Sequence, residues 1–167
     1  MDSETSTPEQ HAHAAATWHT DTPVPKAADS RLSLQLASLS ALSPVRRQVR
    51  AFLQASLEPP GGTAVGGRDE DAEDDAVERA ILVIDELASN ALRHGLPPSS
   101  LHVCDDVNRW MVMVTDSAPQ RRPTPALDRP AEQGGFGLYV VADLTAAHGV
   151  HYEPTHKTVW VCLNKPA

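Results

Sequence analysis

Aromatic side chains are scarce in this chain. Its 167 residues include two Phe, two Tyr and three Trp, so any core must be largely aliphatic. Cysteine is scarcer still: Cys104 and Cys162 stand alone among strand-like residues. Two isolated cysteines make no disulfide framework, and we expect both to be reduced, as in a cytoplasmic protein. No apolar run approaches the roughly 20 residues of a membrane-spanning helix. The N-terminus carries Asp2, Glu4 and Glu9 and no apolar stretch, which does not read as a signal peptide. Basic charge is also lacking. The formal net charge of −8 argues against direct nucleic-acid binding, which calls for a basic surface.

What the chain does have is length for one domain and a tail, with 41% hydrophobic residues to fill a core. The acidic charge is concentrated. Six acids lie between Asp69 and Asp75, and without them the net charge of −8 would be −2. Such a run suits a docking patch for a basic partner. It suits equally a solvated loop whose last acids favour the N-terminus of the next helix.

Residues 1–30, rich in Thr, Ala, Pro and His, have no usable periodicity and are expected to be a disordered tail. His11, His13 and His19 lack acids or cysteines placed to complete a metal site. Arg31–Leu36 alternates with period two and reads as a strand. Ser43 and Pro44 suit the N-cap and first position of a helix running to about Leu57. Pro59-Pro60-Gly61-Gly62 ends it, and residues 58–73 read as a flexible acidic loop. A second helix is expected over about 74–94. Leu101–Val107 and Trp110–Thr115 are spaced as a hairpin. Residues 117–133, with Pro119, Pro123, Pro125 and Pro130, form a long segment of the kind that serves as a lid or binding loop. A third helix is expected over about 138–147, and Gly149–Glu153 with Lys157–Leu163 make a closing hairpin. The sum is an α+β domain over residues 31–165, with helices on one face of a mostly antiparallel sheet.

The most informative stretch is Val83-Ile-Asp-Glu-Leu-Ala-Ser-Asn-Ala-Leu-Arg-His-Gly95. On a helical wheel Val77, Ile81, Ile84, Ala88, Ala91 and Leu92 cluster on one side, with Glu86, Asn90 and Arg93 nearly opposite. A carboxylate and a carboxamide four residues apart can position a nucleophile and hold a hydrated magnesium ion. The same residues suit a solvated helix face closed by a glycine cap. Downstream, Asp116 ends a strand, where a carboxylate can accept from an exocyclic amine. Gly135-Phe136-Gly137 opens a helix, where backbone N–H groups and the dipole favour phosphate.

In order and spacing these elements resemble the GHKL ATPases. Glu86-Leu-Ala-Ser-Asn90-Ala-Leu-Arg-His94-Gly95 is similar to that family's N-box. Val114-Thr-Asp116-Ser-Ala-Pro119 falls where its first glycine box falls, Gly135-Phe-Gly137-Leu138 looks like its second, and Lys157-Thr158-Val-Trp-Val161 resembles its closing threonine strand. The likeness spans about residues 31–164 and is closest to the small RsbW-like anti-sigma serine kinases and their actinobacterial ATP-binding relatives.

The resemblance implies a Bergerat fold binding ATP and Mg2+ beneath a lid. By position it makes Glu86 the general base and Asn90 the magnesium ligand, with His94 and Gly95 completing the N-box. Asp116 becomes the adenine-reading carboxylate, Gly135, Gly137 and Leu138 the phosphate-side loop, and Thr158 a hydroxyl near the adenine. Arg46 falls where these kinases often carry a basic residue near the partner surface; a solvated helix arginine is the plainer reading. The implied partners are a sigma factor and its antagonist protein, and relatives of this kind commonly form homodimers.

Two positions depart from the pattern. Ala118 stands where the first box has glycine, at a cost of about 1 kcal/mol if that site needs positive φ. Phe136 stands where many relatives have a small or basic residue. These departures leave room for a nucleotide-binding or nucleotide-free module that regulates by binding alone.

Overall fold

Alternation places Leu32, Leu34 and Leu36 on one face of β1 (Arg31–Leu36), packed against the main core. β2 (Ser99–Asp105), β3 (Arg109–Asp116), β4 (Ala147–Tyr152) and β5 (Lys157–Asn164) continue the pattern. The five strands form one antiparallel sheet of order β1-β2-β3-β5-β4. Three helices, α1 (Leu42–Ser56), α2 (Glu70–His94) and α3 (Phe136–Leu144), cover one of its faces, giving the expected α+β architecture. The structure is a computed structural model that describes residues 18–26, 31–59, 69–123 and 136–166.

The core between helices and sheet is aliphatic, as the composition requires. Val49 and Leu53 of α1, Val83 and Leu87 of α2 and Val141 of α3 share a buried cluster with Leu101, Val103, Val112, Val114 and Val161. Trp18 and Trp110 are the large exceptions, and the Trp110 indole N–H donates to Ser56 Oγ at 2.8 Å, which satisfies a polar group that burial would otherwise strand. The opposite face carries a smaller cluster of Cys104, Met111, Trp160 and Cys162; both cysteines are free and buried.

α2 begins four residues before the position expected from sequence. The Asp69 side chain accepts from the Ala72 N–H at 3.0 Å, and Glu70, Asp71 and Glu73 fill the first turn, where the helix dipole favours anions. The acidic run is therefore mostly helix, and the expected 58–73 loop is corrected at residues 70–73; residues 60–68 lie outside the described set. α1 also differs. The chain enters it from a 3-10 turn (Leu39–Ala41), so Ala41 is the N-cap and Ser43 makes no cap. Pro44 sits in the first turn, where its missing N–H costs nothing.

α2 is buried more widely than one amphipathic stripe. α1 flanks it, α3 packs against it, and β2 and β3 lie beneath. Ala80, Val83 and Leu87 are consequently buried together with Ile81, Ile84 and Ala88. Glu86 and Asn90 lie at the margin of this contact, half-buried, and not on the open face the helical wheel assigns them.

The expectation of a structureless tail over residues 1–30 is corrected for residues 18–26. Trp18 is fully buried in the main core, while Val24 packs on the opposite sheet face, so this segment wraps the edge strand β4. The Thr22 N–H donates to Val150 O at 2.8 Å, the Trp160 indole N–H to Thr22 O at 3.0 Å, and Tyr152 OH to Trp18 O at 2.9 Å. The wrap covers backbone groups that an edge strand otherwise exposes. Residues 1–17 and 27–30 lie outside the described set.

Candidate functional site

The register of β3 and β5 pairs Asp116 with Lys157. Both side chains share the helix-covered face with Val114 and Val159, and both are almost completely buried. Lys157 Nζ donates to Asp116 Oδ1 at 2.8 Å and to Ala118 O at 2.9 Å. The Ala118 N–H donates to the same carboxylate oxygen at 2.8 Å. This satisfies Oδ1 twice and leaves Oδ2 without a protein partner among the described residues. A buried ion pair is tolerated when further hydrogen bonds complete it, and the Ala118 backbone supplies them here.

Gly95 holds the pair from the helix side. It is the C-cap of α2, with φ −89° and ψ −170°, and its N–H donates to Ala91 O. A Cβ at this position would stand 2.6 Å from Asp116 Cγ and 2.5 Å from Ala91 O. Close approach, and not a left-handed turn, is what requires glycine here. Ser117 N–H donates to Leu96 O at 2.9 Å, tying the end of β3 to the segment after the helix.

Asp116 and Lys157 line a cavity of about 340 Å³, within the range of small-molecule sites. Leu87, Ala91, Val114, Leu138 and Val159 give it apolar walls; Asn90, Arg93, His94, Arg121 and Arg122 give it polar and cationic ones. A chain of net charge −8 thus gathers three arginines and a lysine at one cavity, a field that favours an anionic ligand. Arg121 and Arg122 belong to the segment after β3, and Arg121 reaches back to His94 O at 3.4 Å. Asn90 Nδ2 is buried without a hydrogen-bond partner among the described residues.

Glu86 stands one turn before Asn90 on α2. It is not among the residues lining the cavity. Burial pushes its carboxyl above the ordinary glutamate value, Asp85 adds to the rise, and Arg93 opposes it. A carboxylate held high in this way is a stronger proton acceptor than a solvated one.

The structure thus brings Asn90, His94, Gly95, Asp116 and Leu138 to one cavity. Ala118 is buried behind it and acts through its backbone. No non-glycine residue among those described has positive φ, so alanine sits at this position without left-handed strain. Gly137 lies in the first turn of α3; Gly135 and residues 124–133 of the expected lid lie outside the described residues.

Thr158 is a correction. It points to the opposite face of the sheet, where its hydroxyl lies 2.9 Å from that of Thr115. Period-two alternation gives the reason: Val159, Val161 and Leu163 face the helices, so Lys157 does as well and Thr158 does not. That parity was available in the sequence and singles out Lys157, which sequence reasoning missed. Arg46 bonds Asp85 of α2 at 2.7 Å and Arg50 pairs with Glu78. The Arg46 contact ties α1 to α2.

Among solved structures, the chain is similar to the RsbU and RsbW domains of Rv1364c from Mycobacterium tuberculosis, at 18% identity and a TM-score of 0.52. The match covers 83% of this chain and 34% of that one; the chain thus spans about a third of its length, and the likeness is one of fold. No curated protein matches the chain. The model of the histidine kinase-like ATPase domain matches residues 36–163, from the end of β1 to the end of β5 and across the whole cavity, and the chain belongs to that family.

Proposed function

We propose that this domain binds Mg·ATP in the cavity and transfers the γ-phosphoryl group to a serine of a small antagonist protein, in a partner-switching system that controls a sigma factor. One observation carries the reading: a single cavity combines a buried carboxylate on apolar walls with Asn90 and three arginines. The apolar walls suit a purine ring, Asp116 Oδ2 suits its amine, and the arginines suit a polyphosphate.

Magnesium usually keeps several waters and takes few protein ligands beside the phosphates. Asn90 lines the cavity, and its amide oxygen would supply such a ligand. The metal would neutralise charge on the transferring group. Glu86, one turn earlier on the same helix, accepts the proton of the incoming serine. The serine oxygen forms a bond to the γ-phosphorus, the bond to the β–γ bridging oxygen breaks, and ADP leaves. Arg121 and Arg122 stand on the segment that follows β3 and supply positive charge to the developing phosphates.

The test is calorimetric titration with Mg·ATP, followed by phosphotransfer to the antagonist recovered from the native cell. Glu86→Gln should keep nucleotide binding and lose phosphotransfer by about two orders of magnitude or more; full-rate transfer by this variant refutes the assignment. A second reading, regulation by binding alone, draws on the Lys157 contact that already occupies one oxygen of Asp116. No heat of binding at millimolar Mg·ATP would favour it.

A further inference from the structure

The family resemblance assigns no role to Lys157, yet its ammonium group pairs with Asp116. An ammonium group carries three N–H donors and accepts nothing. Two donors of Lys157 are used, on Asp116 Oδ1 and Ala118 O, and the third has no partner among the described residues. The group is almost fully buried, yet Lys157 and Asp116 both line the cavity. A donor buried without an acceptor is costly. A ligand acceptor beside Asp116 relieves that cost, and the low local dielectric strengthens the bond it makes.

The pair therefore offers a ligand two adjacent functions: an acceptor at Asp116 Oδ2 and a donor at Lys157 Nζ. The Watson–Crick edge of adenine offers the complement, a donor at its exocyclic amine and an acceptor at N1. Guanine offers the reverse, a carbonyl where Asp116 needs a donor and an N–H where Lys157 needs an acceptor. Mismatched polar groups in a buried site are rejected more strongly than missing apolar contacts.

We infer that Lys157 is a base-reading residue, donating directly to adenine N1 while Asp116 accepts from the amine. The inference rests on the nucleotide reading above and adds the contact that reads the ring nitrogen. It also accounts for a lysine on the apolar face of β5. The side chain completes the carboxylate and has a further donor to offer the base.

The experiment compares three ligands on the full chain by calorimetry: ATP, 1-deaza-ATP, which replaces N1 with a C–H group, and 7-deaza-ATP, which alters the far edge of the ring. The expected result is that 7-deaza-ATP binds like ATP and 1-deaza-ATP binds about tenfold or more weakly, as for loss of a hydrogen bond to a charged donor. Equal affinity for ATP and 1-deaza-ATP overturns the role of Lys157 and leaves the nucleotide reading standing. No binding of ATP at millimolar concentration overturns both. Lys157→Met supplies the second arm. In this variant the ratio between ATP and 1-deaza-ATP should fall to about one, whatever happens to the overall affinity. Persistence of the wild-type ratio in a folded Lys157→Met protein overturns the inference. If the variant does not fold, the three-ligand comparison on the wild type decides alone.

Discussion

Replacing Gly95 by alanine tests the packing of the site directly. An added Cβ would meet Ala91 O at 2.5 Å, Asp116 Cγ at 2.6 Å and Asp116 Cβ at 2.9 Å. None of these atoms can retreat cheaply. The first is backbone inside α2, and the others belong to a side chain fixed by Lys157 and by the Ala118 N–H. Overpacking of this kind costs about 1–3 kcal/mol, and the rigidity of all three contacts places Gly95→Ala toward the upper half, about 2–3 kcal/mol. For a chain of this size that lowers Tm by roughly 4–12 °C. Urea and thermal melts of wild type, Gly95→Ala and Gly95→Asn measure it. The asparagine variant separates two explanations. A left-handed cap tolerates asparagine better than alanine, whereas a close approach penalises the larger side chain more. Asparagine more stable than alanine, or alanine within about 0.5 kcal/mol of wild type, would refute the close-approach reasoning. Nucleotide affinity should fall in parallel, because the displaced atoms belong to Asp116.

Three further outcomes are expected. The Glu86 carboxyl is raised above 4.5 in the folded state, so its contribution to stability is full below that pH and is lost as pH rises through the raised value. Glu86→Gln should therefore melt higher than wild type at neutral pH, with the difference vanishing below pH 4.5; a variant less stable at neutral pH would contradict this. Trp18→Ala removes a fully buried side chain and should cost about 3 kcal/mol or more, with faster proteolysis ahead of β1. Unchanged melting would show that residues 18–26 do not pack on the sheet. Ala118→Gly restores the glycine of the family pattern, but alanine here carries no positive φ. The glycine variant should lose about 0.5–1 kcal/mol through the unfolded chain and gain no affinity for ATP by titration; a clear gain in affinity would show that the methyl group obstructs the site.

Much of the fold was legible because its signals are local. Period-two alternation located Arg31–Leu36, Trp110–Thr115 and the closing hairpin, and helical periodicity located α2 and its Glu86/Asn90 spacing. The errors came where a signal depends on distant partners. The helical wheel of α2 placed Glu86 and Asn90 on an open face because one sequence does not reveal that α1 and α3 flank the helix. The N-terminal segment looked structureless because Trp18 and Val24 have no local periodicity; the hydrogen bonds from Tyr152 and Trp160 that hold the segment span 134 and 138 residues. Thr158 was chosen by likeness of motif, although the parity of Val159 and Val161 already turned it from the site.

By itself the sequence determined the order of elements, the aliphatic nature of the core and the chemistry available on α2, since these follow from side-chain type and repeat length. Only the tertiary structure decided which charges meet. Lys157 follows Asp116 by 41 residues, and each taken alone is an unremarkable strand-end charge. The antiparallel register of β3 and β5 makes them one buried acceptor–donor pair, because register is a relation between strands and no single stretch of chain encodes it.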